Sequence, residues 1–493
     1  MDEFWHDYAT GQLHIRDRWQ FELKSDFTPW PAQKINTYTQ EFYLFIPNAL
    51  QVNEFTYSKE DFYRDQTNLI RYKTPEFTFK ELLNPVNRLS PLQRLKTLIA
   101  EKAPEVESEI KLLGNVIRSA LRDRVFHLVD KIETEGEKEL NHQCQNLASE
   151  IDQVRTAFRK LLLECKAEWL SPTVRTHLSY VDEFVSNTIH TYLTGLLRHL
   201  RRQPAKLAEK TDDALCTLIL DEQGYRQQHF DGEWLEQSDD RILYKHGLLN
   251  KFIIESLHLN TQRHSIQTPI GHLIGSFAAG IAMLVWAGFV VVFGIGLNLT
   301  TQAFILLSVV FYILKDRIKE GIRSLSFRKA LKWFYDYKTK ILATDDQTVV
   351  GGLKESFSFI PEERIPKEIN LVRNREFHNI LETFRRPEHI MYYKRTVSLK
   401  TTLETHDPRR HGLNILFRLN IYPLLIKASD PYFDYHIVEP ETRKLKRLSL
   451  PKVYHLNIVI KSTQQAKTPK QLVTIEKYRL IIDKNGIKSI ETI

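Results

Sequence analysis

The densest group of residues able to do chemistry is Thr405-His406-Asp407-Pro408-Arg409-Arg410-His411. Two histidines, one aspartate and two arginines within seven residues offer donors that grip a phosphate and ligands that hold a metal. A solvated, proline-containing loop ahead of a strand accounts for the same residues. Asp345-Asp346 supplies half of a metal site without visible partners, and Glu362-Glu363 reads as a solvated pair. The chain carries no GxxxxGK[ST] phosphate loop, no HExxH, no GxSxG, no EF-hand loop and no GxGxxG after a strand. Cys144, Cys165 and Cys216 form no CxxC and no metal spacing, which points away from a disulfide framework and fits a reducing compartment. No constellation supports a catalytic assignment, and no cofactor is expected.

The elements that position these residues are organised around one uncharged stretch. From His264 to Leu314 there is no Asp, Glu, Lys or Arg, although 26% of the 493 residues are charged. Two apolar runs, Ile270–Leu297 and Ala303–Leu314, flank the polar residues 298–302. The first exceeds the roughly 20 residues that cross a bilayer. The pair is expected to form a two-helix transmembrane hairpin. Gly271, Gly275 and Ala279 recur at four-residue steps with Ala287 in line, and Gly280 lies on a neighbouring stripe. Such small residues let helices approach closely, either within the hairpin or between copies of the chain. His272 is the lone histidine in the apolar runs, near the end where interfacial water is in reach.

Charge sets the expected orientation. From Lys315 onward 35 Lys and Arg face 21 Asp and Glu, whereas the preceding part is net acidic. Lys315, Arg317, Lys319, Arg323, Arg328, Lys329 and Lys332 follow the second run directly and are the candidate contacts to an anionic inner leaflet. By the positive-inside rule both ends of the chain face the cytoplasm, and nucleic acid is not favoured because lipid already accounts for these charges. The N-terminus MDEFWHDYATG lacks a secretory pattern, so insertion is assigned to the internal runs, with a bacterial inner membrane as the default.

The chain as a whole reads as six regions. Residues 1–89 are β-rich: Leu13–Lys24 alternates apolar and polar, and Glu41–Ile46 ends at Pro47-Asn48. Residues 90–205 form an antiparallel helical bundle, with Ser90-Pro91 and Ser171-Pro172 as helix starts. Its most regular member repeats Leu140, Cys144, Leu147, Ile151, Val154, Phe158, Leu161, Cys165 and Trp169 with a coiled-coil period, used within the chain or between chains. Residues 206–263 are juxtamembrane, 264–314 the hairpin and 315–343 a basic interfacial helix. Residues 344–493 form a basic, mainly antiparallel β domain that opens on a looser stretch, 344–366. It ends in a hairpin signalled by Asn485-Gly486 between alternating runs.

The fold class expected is therefore a multidomain α+β membrane protein. The function expected is a membrane-anchored, non-catalytic interaction or structural protein with an unidentified protein partner. The alternatives are an oligomeric pore or transport accessory, and a membrane-bound enzyme whose site is scattered in sequence.

Overall fold

The computed structural model describes residues 13–30, 33–103, 105–164, 171–202, 207–230, 240–294, 302, 306, 309–317, 319–321, 335–343, 348–375, 388–400, 407, 409–410, 412–464 and 472–493. It is a mixed helix-and-sheet chain built on large antiparallel sheets.

The first strands are β1 (Leu13–Asp17), β2 (Gln20–Phe27), β3 (Ile35–Pro47) and β4 (Gln66–Tyr72). The alternating run at Leu13–Lys24 is thus two strands, which pair around Arg18-Trp19. Helix α1 (Lys59–Asp65) precedes β4, and its capping box joins Ser58 to Asp61. Helix α2 (Phe79–Leu83) follows, capped the same way by Thr78 and Glu81. The long helices are α3 (Pro91–Glu101), α4 (Val106–Lys131), α5 (Glu137–Glu164), α6 (Pro172–Leu200), α7 (Glu209–His229) and α8 (Asp240–Ile254). The Ser171 hydroxyl caps α6 by accepting from the Val174 N–H, whereas the Ser90 hydroxyl turns away and donates to the Leu82 carbonyl at 2.7 Å. The described part of the α5 seam is buried inside the chain.

Strand β5 (Asn260–Ser265) leads into α9 (Gln267–Gly294). The chain re-enters the sheet as β6 (Tyr337–Leu342), followed by β7 (Val349–Ile360), the short helix Lys367–Arg373, β8 (Glu388–Lys400) and β9 (Leu413–Asn420). Then come the helix Tyr422–Leu425, the ribbon β10 (Tyr432–Val438) and β11 (Leu445–Pro451), and finally β12 (Tyr454–Gln464), β13 (Leu472–Asp483) and β14 (Gly486–Thr492).

An eight-stranded sheet runs β14-β13-β12-β3-β8-β7-β6-β5, and a four-stranded sheet runs β1-β2-β9-β4. The sheets pack face to face through aromatic side chains. Phe417 of β9 lies 5.0 Å from Phe42 of β3 and 5.3 Å from Tyr393 of β8, ring centre to ring centre. Burial of Phe, Leu and Ile side chains between them is the main stabilising term, about 1.5–3 kcal/mol for each. The outer face of the large sheet is covered by Ile365, Ile369 and Val372, which pack on Tyr43, Phe45 and Val459.

Four expectations are corrected. The two β-rich regions do not form separate layers: β3 sits between β12 and β8, and β9 sits between β2 and β4. Local alternation reveals a strand but not its partner, so two ends of a chain that pair with each other read as two regions. The two-helix transmembrane hairpin is not supported. Among the described residues one helix is long and apolar enough to cross a membrane, His272–Val292, with mean hydropathy 2.1. The classification as an integral membrane protein built on that hairpin falls with it. Within the stretch 344–366 the described residues are not loose, because β7 occupies a place between β8 and β6. There Gly351 lets two backbones meet: an added Cβ would lie 2.4 Å from the Ser398 carbonyl oxygen. Last, the basic helix stops short of residue 343, since Tyr337–Leu342 is a strand. The Asn-Gly hairpin is present as β13–β14, with Gly486 at φ 123° against the Arg18 carbonyl.

Antiparallel pairing gives the large sheet two distinct edges. Strands β7 and β3 end, and β12 and β8 begin, at one edge, whereas β5 ends and β6 begins part-way along the sheet, on the rung of Glu355, Arg395, Gln40 and Ser462, from which α9 departs. The helical bundle packs at the other, against Val350, Leu353, Val397 and Leu399.

Candidate functional site at the root of the apolar helix

Residues 266–336 leave and re-enter the sheet at one rung, because Ser265 pairs with Tyr337. The next residues extend the rung: the Ile266 N–H donates to the Asp336 carbonyl at 3.1 Å, and the Asp336 N–H to the Glu355 carbonyl at 2.7 Å. Both ends of this 71-residue excursion are therefore tied to one point.

Asp336 fixes that point. Its carboxylate is 1% exposed and accepts from Lys59 Nζ at 2.6 Å, the Tyr63 hydroxyl at 2.8 Å and the Phe357 N–H at 2.7 Å. Burial, and then the Asp336 charge, push the Tyr63 hydroxyl far above its ordinary pKa, so it stays protonated and donates. Beside it the Arg263 guanidinium lies 4.0 Å from the Tyr337 ring centre, 5.0 Å from that of Tyr63 and 3.3 Å from Glu355.

Glu355 continues the network inward. One carboxylate oxygen accepts from Asn68 at 2.7 Å, the Tyr393 hydroxyl at 2.7 Å and Gln66 at 3.0 Å. Asn68 in turn accepts from Arg395, which also donates to Gln40 and Ser25. Burial pulls the Arg395 guanidinium down to about 10, still above neutrality, so the charge is retained. Burial and Glu355 hold the Tyr393 hydroxyl well above its usual value. Apart from the buried Gln66 Oε1, which has no hydrogen-bond partner, the acceptors and donors are matched, and among the described residues no nucleophile faces a base across open space. The arrangement holds two sheets and the root of α9 in register.

A separate buried carboxylate network lies in the bundle. Glu222 of α7 accepts from Arg155 at 3.1 Å, Arg159 at 2.8 Å and the Ser186 hydroxyl at 2.5 Å. Three donors engage it and it is fully buried, so it is not open to a ligand. Among the described residues no group of three His, Cys, Asp or Glu is placed to hold a metal.

The sequence-based candidates are distributed as follows. Arg409 is 3% exposed and binds Glu109 of α4 through both Nη atoms at 2.5 and 2.9 Å, and Asp407 through Nε at 2.9 Å and Nη2 at 2.8 Å. Burial alone would raise the Asp407 carboxyl, but the Arg409 bonds outweigh it and lower it; burial alone would lower Arg409, and the two carboxylates raise it. Arg410 stacks 4.7 Å from the Tyr72 ring centre. These three residues clasp the bundle to the sheets; His406 and His411 lie outside the described residues. Gly271 falls within α9, Gly275 and Gly280 have open space where a Cβ would go, Ala279 is half-buried and Ala287 exposed. The closely packed alanines of α9 are instead Ala278 and Ala282. Arg317 and Lys319 are exposed, and Lys315 sits 4.1 Å from the Tyr312 ring centre. Arg323, Arg328, Lys329 and Lys332 lie outside the described residues.

Sequence reasoning passed over Asp336, Arg263, Glu355, Arg395 and Glu222. A signal for three of them was present. Arg395 falls in phase with Met391, Tyr393, Val397 and Leu399, Glu355 with Leu353 and Phe357, and Glu222 with Leu215, Leu218 and Ile219. A charge in step with an apolar face is a charge that must be buried and paired. Comparison with family models, with curated proteins and with solved structures returns no match.

Proposed function

We infer that the chain is a non-catalytic interaction or structural protein that attaches to a lipid bilayer through α9 and holds its helical bundle away from that surface. The observation that carries this reading is the contrast along α9. Leu273, Phe277, Leu284, Val291 and Val292 are all more than 60% exposed on a helix without Asp, Glu, Lys or Arg, while its root is clamped by the ion pairs that Lys59 and Arg263 make with the buried carboxylates of Asp336 and Glu355. An apolar helix of this length exposed to water costs about 25 cal/mol for each Å² it could bury, a cost that lipid removes. The contacts at the root tie the excursion firmly to the folded body.

Polarity supports the direction. The bundle packs around Leu257 and Leu259 at the start of β5 and α9 leaves the end of that strand, so a membrane at α9 leaves the bundle open to a protein partner. Because Ser265 and Tyr337 are paired, both flanks of the excursion belong to one folded body. Arg317 and Lys319, exposed at its returning end, suit anionic head groups of a cytoplasmic leaflet. The reading is tested by flotation of the full chain with vesicles of zwitterionic and anionic lipid. Wild type is expected to float, and Phe277→Glu/Leu284→Glu to remain at the bottom with its fold unchanged by circular dichroism. Equal flotation of both would reject it.

A further inference from the structure

Helix α8 is apolar on two sides. The inner side is docked: Leu249 and Ile253 are buried, the Ile253 carbonyl accepts from Asn115 Nδ2 of α4 at 2.6 Å, and Lys245 pairs with Glu183 of α6 at 2.7 Å. The outer side carries Leu243, Tyr244 and Leu248, which are 59%, 69% and 46% exposed. They flank Gly247, where an added Cβ would meet nothing within 4 Å, and together with Lys251 they line a hollow of about 500 Å³. A helix that is apolar all round is a helix covered all round. Residues 244, 247, 248 and 251 also follow the steps of three and four by which one helix receives the side chains of another.

Charge says what covers the outer side. From Arg241 to Ile254 the helix carries Arg241, Lys245 and Lys251 and no Asp or Glu. Lys245 is matched by Glu183, whereas Lys251 is exposed at the rim of the hollow, which no carboxylate lines among the described residues. Arg118 of α4 sets a further cation beside α8, 3.4 Å from Asn250 Oδ1. A second copy of the chain would bring these cations against themselves, which costs affinity. A bilayer is flat and leaves the notch over Gly247 unfilled. A helix with an apolar stripe bordered by carboxylates satisfies both features, since its apolar side chains gain burial and its acids gain a cation.

We propose that the outer side of α8 docks an acidic amphipathic helix of a protein partner, with one apolar side chain seated over Gly247 between Leu243, Tyr244 and Leu248 and a carboxylate on Lys251. This rests on the reading above that the bundle is open to a protein partner, and it names the face and the chemistry of that contact.

The test selects binders of the full chain, held in mild detergent, from a display library of helical peptides about 18 residues or roughly 27 Å long. The expected binders carry apolar residues at steps of three and four bordered by Asp or Glu. Their affinity, read by fluorescence anisotropy, is expected to fall about tenfold or more in Gly247→Leu, which fills the hollow, and several-fold in Lys251→Glu. Both variants should keep the circular dichroism of the wild type and float with vesicles as it does. No binder, binders without acidic residues, or binding indifferent to both substitutions overturns the proposal while attachment through α9 stands. Self-association of the wild type that Gly247→Leu abolishes, seen by sedimentation velocity, overturns it in favour of a second copy of the chain. Loss of flotation in Gly247→Leu or Lys251→Glu overturns it in favour of lipid. A wild type that binds the acidic peptides yet fails to float rejects attachment through α9 and leaves the α8 site standing.

Discussion

Replacing Arg409 with Met separates the bundle from the sheets. The guanidinium is 3% exposed and joins Glu109 of α4, itself 4% exposed, to the segment preceding β9. In Arg409→Met, Glu109 keeps only Arg94, whose Nε lies 3.6 Å away, and Asp407, 14% exposed, keeps Arg410 at 3.7 Å. Breaking a buried pair by removing one partner costs about 3–5 kcal/mol, because the remaining charge is left uncompensated. The Arg94 contact and the partial exposure of Asp407 place this case near the lower end, about 3 kcal/mol. Glu109→Gln is expected to cost less, about 1–2 kcal/mol, since Arg409 retains Asp407. Arg409→Met/Glu109→Leu, which removes both buried charges and fills the space, is expected to recover most of the loss. The assay is urea denaturation of each variant, read by far-ultraviolet circular dichroism for the bundle and by the fluorescence of Trp19 and Trp30, the other five tryptophans being replaced by Phe, for the β region. Wild type should give one coincident transition, and Arg409→Met two, as the bundle loses its clasp. A loss below about 1 kcal/mol in Arg409→Met, or a double variant whose loss equals the sum of the singles, would refute the reasoning.

Asp336→Asn leaves Lys59 without its carboxylate and should cost about 1–3 kcal/mol; hydrogen exchange should quicken in β5 and β6 before the rest of the sheet. Gly351→Ala drives a methyl against the Ser398 carbonyl and should lower the melting temperature, by about 1–3 kcal/mol of overpacking, whereas Gly275→Ala meets open space and should leave it unchanged. Glu22 is a pH probe. Burial would raise its pKa, but hydrogen bonds from His14 and Arg418 outweigh this and hold it at about 2, against an ordinary 4.5. Its stabilisation, about 3 kcal/mol, is therefore complete above pH 4.5 and is lost as the pH falls through 2. The stability gap between wild type and Glu22→Gln should accordingly close over that window in urea titrations.

Local features of the fold were legible and pairings across the chain were not. The helix starts at Pro91 and Pro172, the α5 seam and the Asn485-Gly486 hairpin follow from spacing that involves neighbours in sequence. The interleaving of β3 with β8 and β12 joins residues more than 300 apart, and no local periodicity carries that information. The candidate site divides the same way. The uncharged stretch announces α9, whereas its root is assembled from Lys59, Tyr63, Arg263, Asp336 and Glu355, which meet only after the sheets form. The His406–His411 group looked chemical because it concentrates charge, yet Arg409 and Asp407 spend their donors and acceptors on each other and on Glu109.

The central claim is that the exposed apolar surface of α9 holds the chain on a membrane. The most direct measurement is sedimentation of native membranes bearing the full chain after a wash in about 1 M salt, where the Debye length falls to about 3 Å and attachment through surface charge is released. Wild type is predicted to stay in the pellet while Phe277→Glu/Leu284→Glu, folded as judged by circular dichroism, is released. Release of the wild type, or retention of the variant, would contradict the account.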